Sequence, residues 1–425
     1  MLVAFWALAA VALVLALLQL GVALRLGSRL EPLGAGHPGE GAVSPPEGGG
    51  DAAVHADRPR ISALVPLRGA PAGLEDRLRR LLSALGRDDQ LVLATETEDD
   101  PAYAVATAVE AAHPDRDVEV VLSGPAGVRM GKQHNLSAAL NRARHDLLAF
   151  MDDDVLIERA NLEDGVAALT RVGEPTPDGT SAPAVGAAFA LPFYGADAGS
   201  GRSLGGDVVA AYTNHGFAPN MASIALQGPP RFIIGGYWMT TREALGAIGG
   251  LEPFTATVSD DAAIGRAFAE TGRSNVMLGR PVRLEPERLD LRGGVRHVLK
   301  WLTLLRAEGL GVLILCYLTW HPLATALLAA LLSWLAQGVS GRAGLSVLAA
   351  VLALRALAVL VLDTRVYGLR PPGRYLPAQL FYEALLAPWL FLVAAFRREV
   401  VWRGRRYRLA AGGRLEAAQG DRGYV

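Results

Sequence analysis

Residues 2–24 form an almost unbroken apolar run. Inside a bilayer such a run has one option, a helix, because every backbone N–H and C=O must be satisfied within the segment. About 20 apolar residues are enough to span. Three further apolar stretches come late in the chain, at 310–335, 343–362 and 376–396. A chain of 425 residues that is 51% hydrophobic is too apolar for an ordinary soluble enzyme, and at 20% charged residues it is too polar for a pure membrane bundle. A membrane protein carrying one soluble domain fits both figures. The net charge of −1 excludes bulk affinity for nucleic acid. The one cysteine, Cys316, excludes an intramolecular disulfide and a cysteine-based zinc site.

Charge placement orients the chain. No Lys or Arg precedes the first run, and Arg25 and Arg29 follow it. The positive-inside rule then puts the N-terminus outside and the next domain in the cytoplasm. A cleaved signal peptide would carry its positive charge before the apolar run. Heavy use of Ala, Leu, Gly and Arg suggests a GC-rich bacterial genome, hence a bacterial inner membrane. The expected order is an anchor at 1–25, a flexible linker at 26–57, a catalytic domain at 58–285, an interfacial amphipathic segment at 286–309, membrane helices at 310–397 and a basic cytoplasmic tail at 398–425. Arg397, Arg398, Arg403, Arg405, Arg406 and Arg408 place that tail inside. Three complete passes after a cytoplasmic domain would put it outside. One of the three late stretches is therefore expected to be re-entrant or interfacial, and Trp320, His321 and Pro322 interrupt the first of them. Arg355 and Glu383 fall inside two of the stretches; they pair with each other, or either one snorkels or lines a wet cavity.

Between the ends the pattern changes. Strand-like runs at 61–65, 91–94, 118–122 and 147–151 alternate with helical spacing at 75–85, 103–112 and 136–143. That alternation predicts an α/β fold with a parallel-rich sheet and ligands at the carboxyl ends of its strands. Asp152, Asp153 and Asp154 end the fourth run. Three carboxylates there repel one another, and Mg²⁺ or Mn²⁺ on Asp152 and Asp154 would remove that cost while keeping positions open for substrate phosphates. A solvated acidic turn is the competing reading.

Four more constellations carry chemistry. Asp260 and Asp261 precede an amphipathic helix. Asp261 reads as a general base whose proton affinity Asp260 tunes, with simple N-capping as the alternative. Lys132, ahead of the third helix, can neutralise phosphate charge. Gly235 and Gly236 permit a close backbone approach or a tight turn. His297, Lys300 and Trp301 sit on a membrane-proximal amphipathic segment, where His297 and Lys300 share a face able to meet a diphosphate.

The order of these motifs resembles family 2-type glycosyltransferases, and most closely the ceramide glucosyltransferase-like group that includes bacterial hopanoid-associated enzymes. The resemblance runs from Ile61-Ser62-Ala63-Leu64-Val65-Pro66-Leu67-Arg68-Gly69 through Glu98-Asp99-Asp100-Pro101-Ala102 and Gly131-Lys132-Gln133-His134-Asn135-Leu136. It continues through Asp152-Asp153-Asp154 and residues 185–194, 235–245 and 250–272, and closes on Trp402-Arg403-Gly404-Arg405-Arg406-Tyr407-Arg408-Leu409. It implies a GT-A-like nucleotide-sugar-binding domain, a metal-bound UDP-sugar donor, inversion at the anomeric carbon and a lipid acceptor reached from the membrane. Asn135 joins Lys132, Asp152 and Asp260 among the implied substrate contacts, and Trp301 is expected to wall the acceptor path. Two departures stand out. The group's first aspartate falls near Thr97, leaving Glu96 and Glu98 to contact the nucleotide. Its (Gln/Arg)-x-x-Arg-Trp motif appears as His297-x-x-Lys300-Trp301, and Lys lacks the bidentate fork of Arg. The alternatives are a processive polysaccharide synthase and a catalytically weakened lipid-binding or scaffold relative.

Overall fold

The structure is a computed structural model that describes residues 1–30, 58–127, 129–170, 183–195, 202–286, 288–335, 341–402, 405–410 and 414–416. Most of the expected linker, 31–57, and Arg403 of the tail lie outside the described residues. The chain divides into two compact units. One holds Leu33–Pro192 and Gly228–Leu284, the other Met1–Pro32, Phe193–Gln227 and Glu285–Val425. The soluble domain expected at 58–285 is thus interrupted: residues 193–227 fold with the apolar segments. Composition explains the exchange. Leu204–Tyr212 is buried along nearly its whole length and carries Gly205 and Gly206. A Cβ on Gly205 would lie 1.9 Å from the carbonyl oxygen of Asp290, and one on Gly294 would lie 2.4 Å from that of Gly205, so only glycine lets these backbones meet.

The strands in chain order are β1 (Ile61–Pro66), β2 (Gln90–Thr95), β3 (Asp117–Leu122), β4 (Leu147–Met151), β5 (Val155–Leu156), β6 (Val185–Phe189), β7 (Pro192–Tyr194), β8 (Tyr237–Thr241), β9 (Ser274–Met277) and β10 (Val282–Leu284), and all but Phe193 and Tyr194 of β7 belong to the α/β unit. Its main sheet has the order β3-β2-β1-β4-β8-β6-β9. The first four strands are parallel, as expected from the alternation with helices. β8 enters antiparallel between β4 and β6. β1, β2 and β4 are buried at every position, which is why they read as continuous apolar runs. Phe150 and Trp238 face each other across β4 and β8 and stack with centroids 4.1 Å apart. The fourth apolar run ends where β4 ends, so Asp152 to Asp154 emerge at a carboxyl edge.

The start of the third helix differs from expectation. The third helix spans Gly131–Leu140, not 136–143, so Lys132 and Asn135 lie in its first turns and not in a preceding loop. Its N-cap, Met130, offers no side-chain hydrogen bond. The backbone N–H of Met130 instead donates to the carbonyl of Thr255, 2.7 Å away, a tertiary contact with no local signature.

Among the described residues of the apolar unit, three helices are long and apolar enough to cross a membrane: Leu2–Arg29, Gly341–Val366 and Leu376–Phe396. The first continues through residues 26–29, so the helix takes in the start of the expected linker. Leu310–Trp320 and Pro322–Leu335 are bent 74° from each other at His321, the interruption seen in the sequence. Arg355 and Glu383 do pair, Nε to Oε2 at 2.8 Å, with both side chains buried. The remaining oxygen of Glu383 accepts from the N–H of Leu323 at 2.8 Å, which satisfies a donor freed by the break. His215 meets Asp363 at 2.8 Å, and the His215 carbonyl accepts from Arg355 at 2.9 Å. His215, Asp363 and Glu383 each sit on a π-helical turn, Thr213–Phe217, Leu362–Val366 and Tyr382–Leu386 respectively. The wider turns re-aim these side chains into one buried network. The tail forms a three-stranded antiparallel sheet from Glu399–Trp402, Arg405–Leu409 and Leu415–Glu416.

Candidate active site

The acidic turn after β4 alternates in exposure. Asp153 is buried and its carbonyl accepts from Arg77 at 2.8 Å, whereas Asp152 and Asp154 on either side are half-buried. The backbone N–H of Asp152 is fixed to the carbonyl of Gly236 at 3.0 Å. Lys132 reaches this turn from the first turn of its helix, with Nζ 2.7 Å from Asp152 Oδ1 and 3.3 Å from the carbonyl of Gly235.

Lys132 also joins two acidic turns. Its charge is stabilised by Asp152, Asp260 and Asp261 together; burial works the other way and is outweighed, so its pKa is raised. Asp152 is raised as well, first by burial and then by its acidic neighbours, against the pull of Lys132. Asp261 is pushed up to about 7, first by burial and next by repulsion from Asp260, with Lys132 opposing. A carboxylate at that value is poised for proton transfer near neutral pH.

The turn at Asp260 and Asp261 opens helix Asp260–Glu270. Ser259 makes no side-chain cap. Asp261 Oδ1 accepts from the N–H of Ala262 at 2.8 Å, and Asp260 Oδ2 accepts a short hydrogen bond from Gln133 Nε2. A Cβ on Gly235 would come within 3.3 Å of Lys132 Nζ and 3.4 Å of Asp261 Cβ, so the glycine makes room for site side chains. Sequence reasoning missed Gln133. Its only signal was adjacency to Lys132.

The other expected contacts fall in different places. Glu96 is half-buried at the end of β2, 3.4 Å from Arg68 and 3.4 Å from the N–H of Ala126. Glu98 is exposed on the following turn. Asp100 caps the next helix and also accepts from the N–H of Gly69 at 2.7 Å, a link the sequence did not reveal. Asn135 is buried; it donates to the carbonyls of Leu67 at 3.0 Å and Ala94 at 3.2 Å and accepts from Ser123 at 2.7 Å. Its amide therefore ties β2 to the segments leaving β1 and β3. His297, Lys300 and Trp301 lie in the other unit, on helix Leu291–Glu308. Lys300 Nζ stands 4.9 Å from the Trp301 ring centre, and burial followed by Lys300 pushes His297 down to about 3, so it is neutral at physiological pH.

Among the described residues, no group of three or more His, Cys, Asp or Glu is gathered to cage a metal. Asp152 and Asp154 are a donor set of the size Mg²⁺ or Mn²⁺ uses when phosphate and water complete its shell, so they fit an ion that is bound together with a diphosphate.

A family profile described as Glycosyl transferase family 21 matches residues 4–415. No curated protein matches the chain at a significant level. Among solved structures, a mannosyltransferase from Pyrobaculum calidifontis in complex with GDP-Man and Mn²⁺ is 18% identical, with 91% of this chain and 98% of that one covered and a TM-score of 0.43. Glucosyl-3-phosphoglycerate synthase from Mycobacterium tuberculosis, in complex with Mn²⁺, UDP and phosphoglyceric acid, is 18% identical over 59% of this chain and 78% of that one, with a TM-score of 0.36.

Proposed function

The chain belongs to glycosyl transferase family 21, and from that premise we propose that it is a membrane-bound, inverting hexosyltransferase that moves a sugar from a UDP-sugar to a hydroxyl of a membrane lipid. The ceramide glucosyltransferase-like resemblance is borne out at the level of the family, and ceramide or a related long-chain lipid is the acceptor class we assign. The observation that carries the reading is Lys132, which places one cation beside Asp152 and within the field of Asp260 and Asp261. Transfer to an alcohol needs positive charge where a diphosphate departs and a base where a hydroxyl attacks.

Asp261 takes the proton of the acceptor hydroxyl. The acceptor oxygen bonds to the anomeric carbon as the bond from that carbon to the phosphate oxygen breaks. Lys132 holds charge against the leaving diphosphate. Asp152 and Asp154 would hold Mg²⁺ or Mn²⁺, which when bound supplies Lewis-acid neutralisation of that group. Glu96 and Glu98 are assigned to the nucleotide. Lys300 is assigned to phosphate as a point charge, His297 to the same group as a neutral hydrogen-bonding partner, and Trp301 to the acceptor path. The catalytic domain and the basic tail share the cytoplasmic side.

The test is mass spectrometry of lipids made by membranes that contain the protein, supplied with a panel of UDP-sugars and Mg²⁺ or Mn²⁺. A lipid carrying a single added hexose is expected. A polymeric product would mean a processive synthase. Absence of both transfer and UDP-sugar hydrolysis with every donor would make the chain a scaffold.

A further inference from the structure

Hydropathy alone makes Leu376–Phe396 a span and leaves the bent pair Leu310–Trp320 and Pro322–Leu335 ambiguous. The directions of the helices within the apolar unit reverse that assignment. At one end of helix Leu2–Arg29, Phe5 and Ala9 pack with Ala329, Leu332, Ala343 and Val347. In its middle, Ala12 and Ala16 pack with Ala326 and Val351. Toward its other end, a Cβ on Gly27 would meet Arg365 at 2.8 Å and Val361 at 3.9 Å. Helix Gly341–Val366 therefore runs parallel to the first helix, and Pro322–Leu335 runs antiparallel to both. A chain leaving the first helix at Arg29 can enter Gly341–Val366 in that direction only if it has crossed back, and Pro322–Leu335 is the segment that does so.

We infer that Pro322–Leu335, the second half of the bent pair, crosses the bilayer and that Leu376–Phe396 does not: the latter lies along the membrane boundary on the side of Arg29, with one apolar face seated in lipid. The inference rests on the reading of the chain as membrane-bound, and not on its catalytic activity. Leu376–Phe396 starts from the Arg365 end, where Gly373 N–H donates to Asp363 at 2.8 Å. Seven residues on, Glu383 meets Leu323 and Arg355. A straight span of 1.5 Å rise per residue would then carry Ala395 roughly 18 Å further toward Phe5. Instead, Phe391 packs on His321 at 5.0 Å and Tyr317 at 5.2 Å, and the carbonyl of Ala395 accepts from Arg306 at 3.0 Å. Arg306 belongs to the amphipathic helix Leu291–Glu308, whose Gly294 meets Gly205 at its other end. Leu310–Trp320, which lies 74° off the direction of Pro322–Leu335, completes the same layer.

The exposed residues describe the occupant of the outer face. Leu385, Trp389, Leu392 and Phe396 recur at helical spacing and are exposed, while Ala387, Leu390, Phe391 and Ala394 between them are buried. An apolar stripe ending in aromatics fits the acyl and headgroup boundary of a bilayer. Charge agrees. Arg25, Arg29, Arg365, Arg370 and Arg374 collect on the Arg29 side under this assignment, and Arg342 alone stands beside Gly341 at the other.

Single cysteines test the assignment in a Cys316→Ala background, with a membrane-impermeant maleimide on intact and permeabilised cells. Arg342→Cys is expected to react in intact cells. Arg370→Cys and Arg398→Cys are expected to react only after permeabilisation, with Pro372→Cys as a second reporter on the Arg370 loop. Reaction of Arg370→Cys or Pro372→Cys in intact cells, with Arg342→Cys protected, would mean that Leu376–Phe396 spans and the bent pair is re-entrant. Reaction of Arg398→Cys in intact cells with the Arg370 loop protected would mean that both cross. Either result overturns the inference, whether or not the protein transfers sugar.

Discussion

Asp261→Asn keeps the shape of the side chain and its hydrogen bond from Ala262, and removes its capacity to take a proton. General-base catalysis is worth ~10²–10⁴-fold in rate, so transfer at the alkaline plateau should fall by about that factor. The structure adds a pH dependence. With the Asp261 carboxyl at about 7, the wild-type protein has its base in the working form only above that value. About nine-tenths is ionised at pH 8, about a tenth at pH 6 and about a hundredth at pH 5. The wild-type rate should therefore fall about tenfold per pH unit below neutrality. The variant has no such limb from this group, so the gap between the two should shrink about a hundredfold between pH 8 and pH 5. The assay is the initial rate of sugar transfer to a lipid acceptor, read as kcat/KM across that range. Asp260 repels Asp261 and raises it, so Asp260→Asn should cost less and move the wild-type limb to lower pH. The midpoint belongs to the coupled pair, so the variants, and not the profile alone, make the assignment. A gap that stays constant with pH, or a wild-type midpoint near 4, would refute the choice of base.

Chelation with EDTA should abolish transfer and Mn²⁺ or Mg²⁺ should restore it; Asp154→Ala should keep a wild-type melting curve yet lose activity, and full activity in excess EDTA would remove the metal assignment. Arg355→Met leaves Glu383 buried without its cation, at a cost of ~3–5 kcal/mol, seen as a lower melting temperature in detergent. Gly265→Ala brings a Cβ to 2.4 Å from the Phe232 backbone, which cannot give way as a side-chain end can. The expected loss is ~1–3 kcal/mol, measured by thermal unfolding, with helix Asp260–Glu270 displaced and transfer reduced. Lys132→Met should raise the acid limb of the pH profile, because the cation that favours the ionised forms of Asp152 and Asp261 is gone.

The sequence by itself determined the apolar ends, the parallel β1, β2, β3 and β4 and the acidic turn after β4. These follow from local patterning: a strand buried on both faces must be apolar throughout, and the turn that ends it is marked by its charge. Arg355 and Glu383 were legible as candidate partners because two ions inside apolar helices have few alternatives to each other. The rest depended on contacts between residues far apart in the chain. Nothing local marks Met130 as a helix start, since its hydrogen bond goes to Thr255. Gln133 looks like any first-turn glutamine until helix Asp260–Glu270 brings Asp260 to its amide. Residues 193–227 read as part of a soluble domain until Gly205 and Gly294 allow their helices to touch. Hydropathy counts the apolar stretches but is blind to direction, and only the packing of Gly27 on Arg365 and of Ala329 on Phe5 and Ala9 tells which of them runs which way.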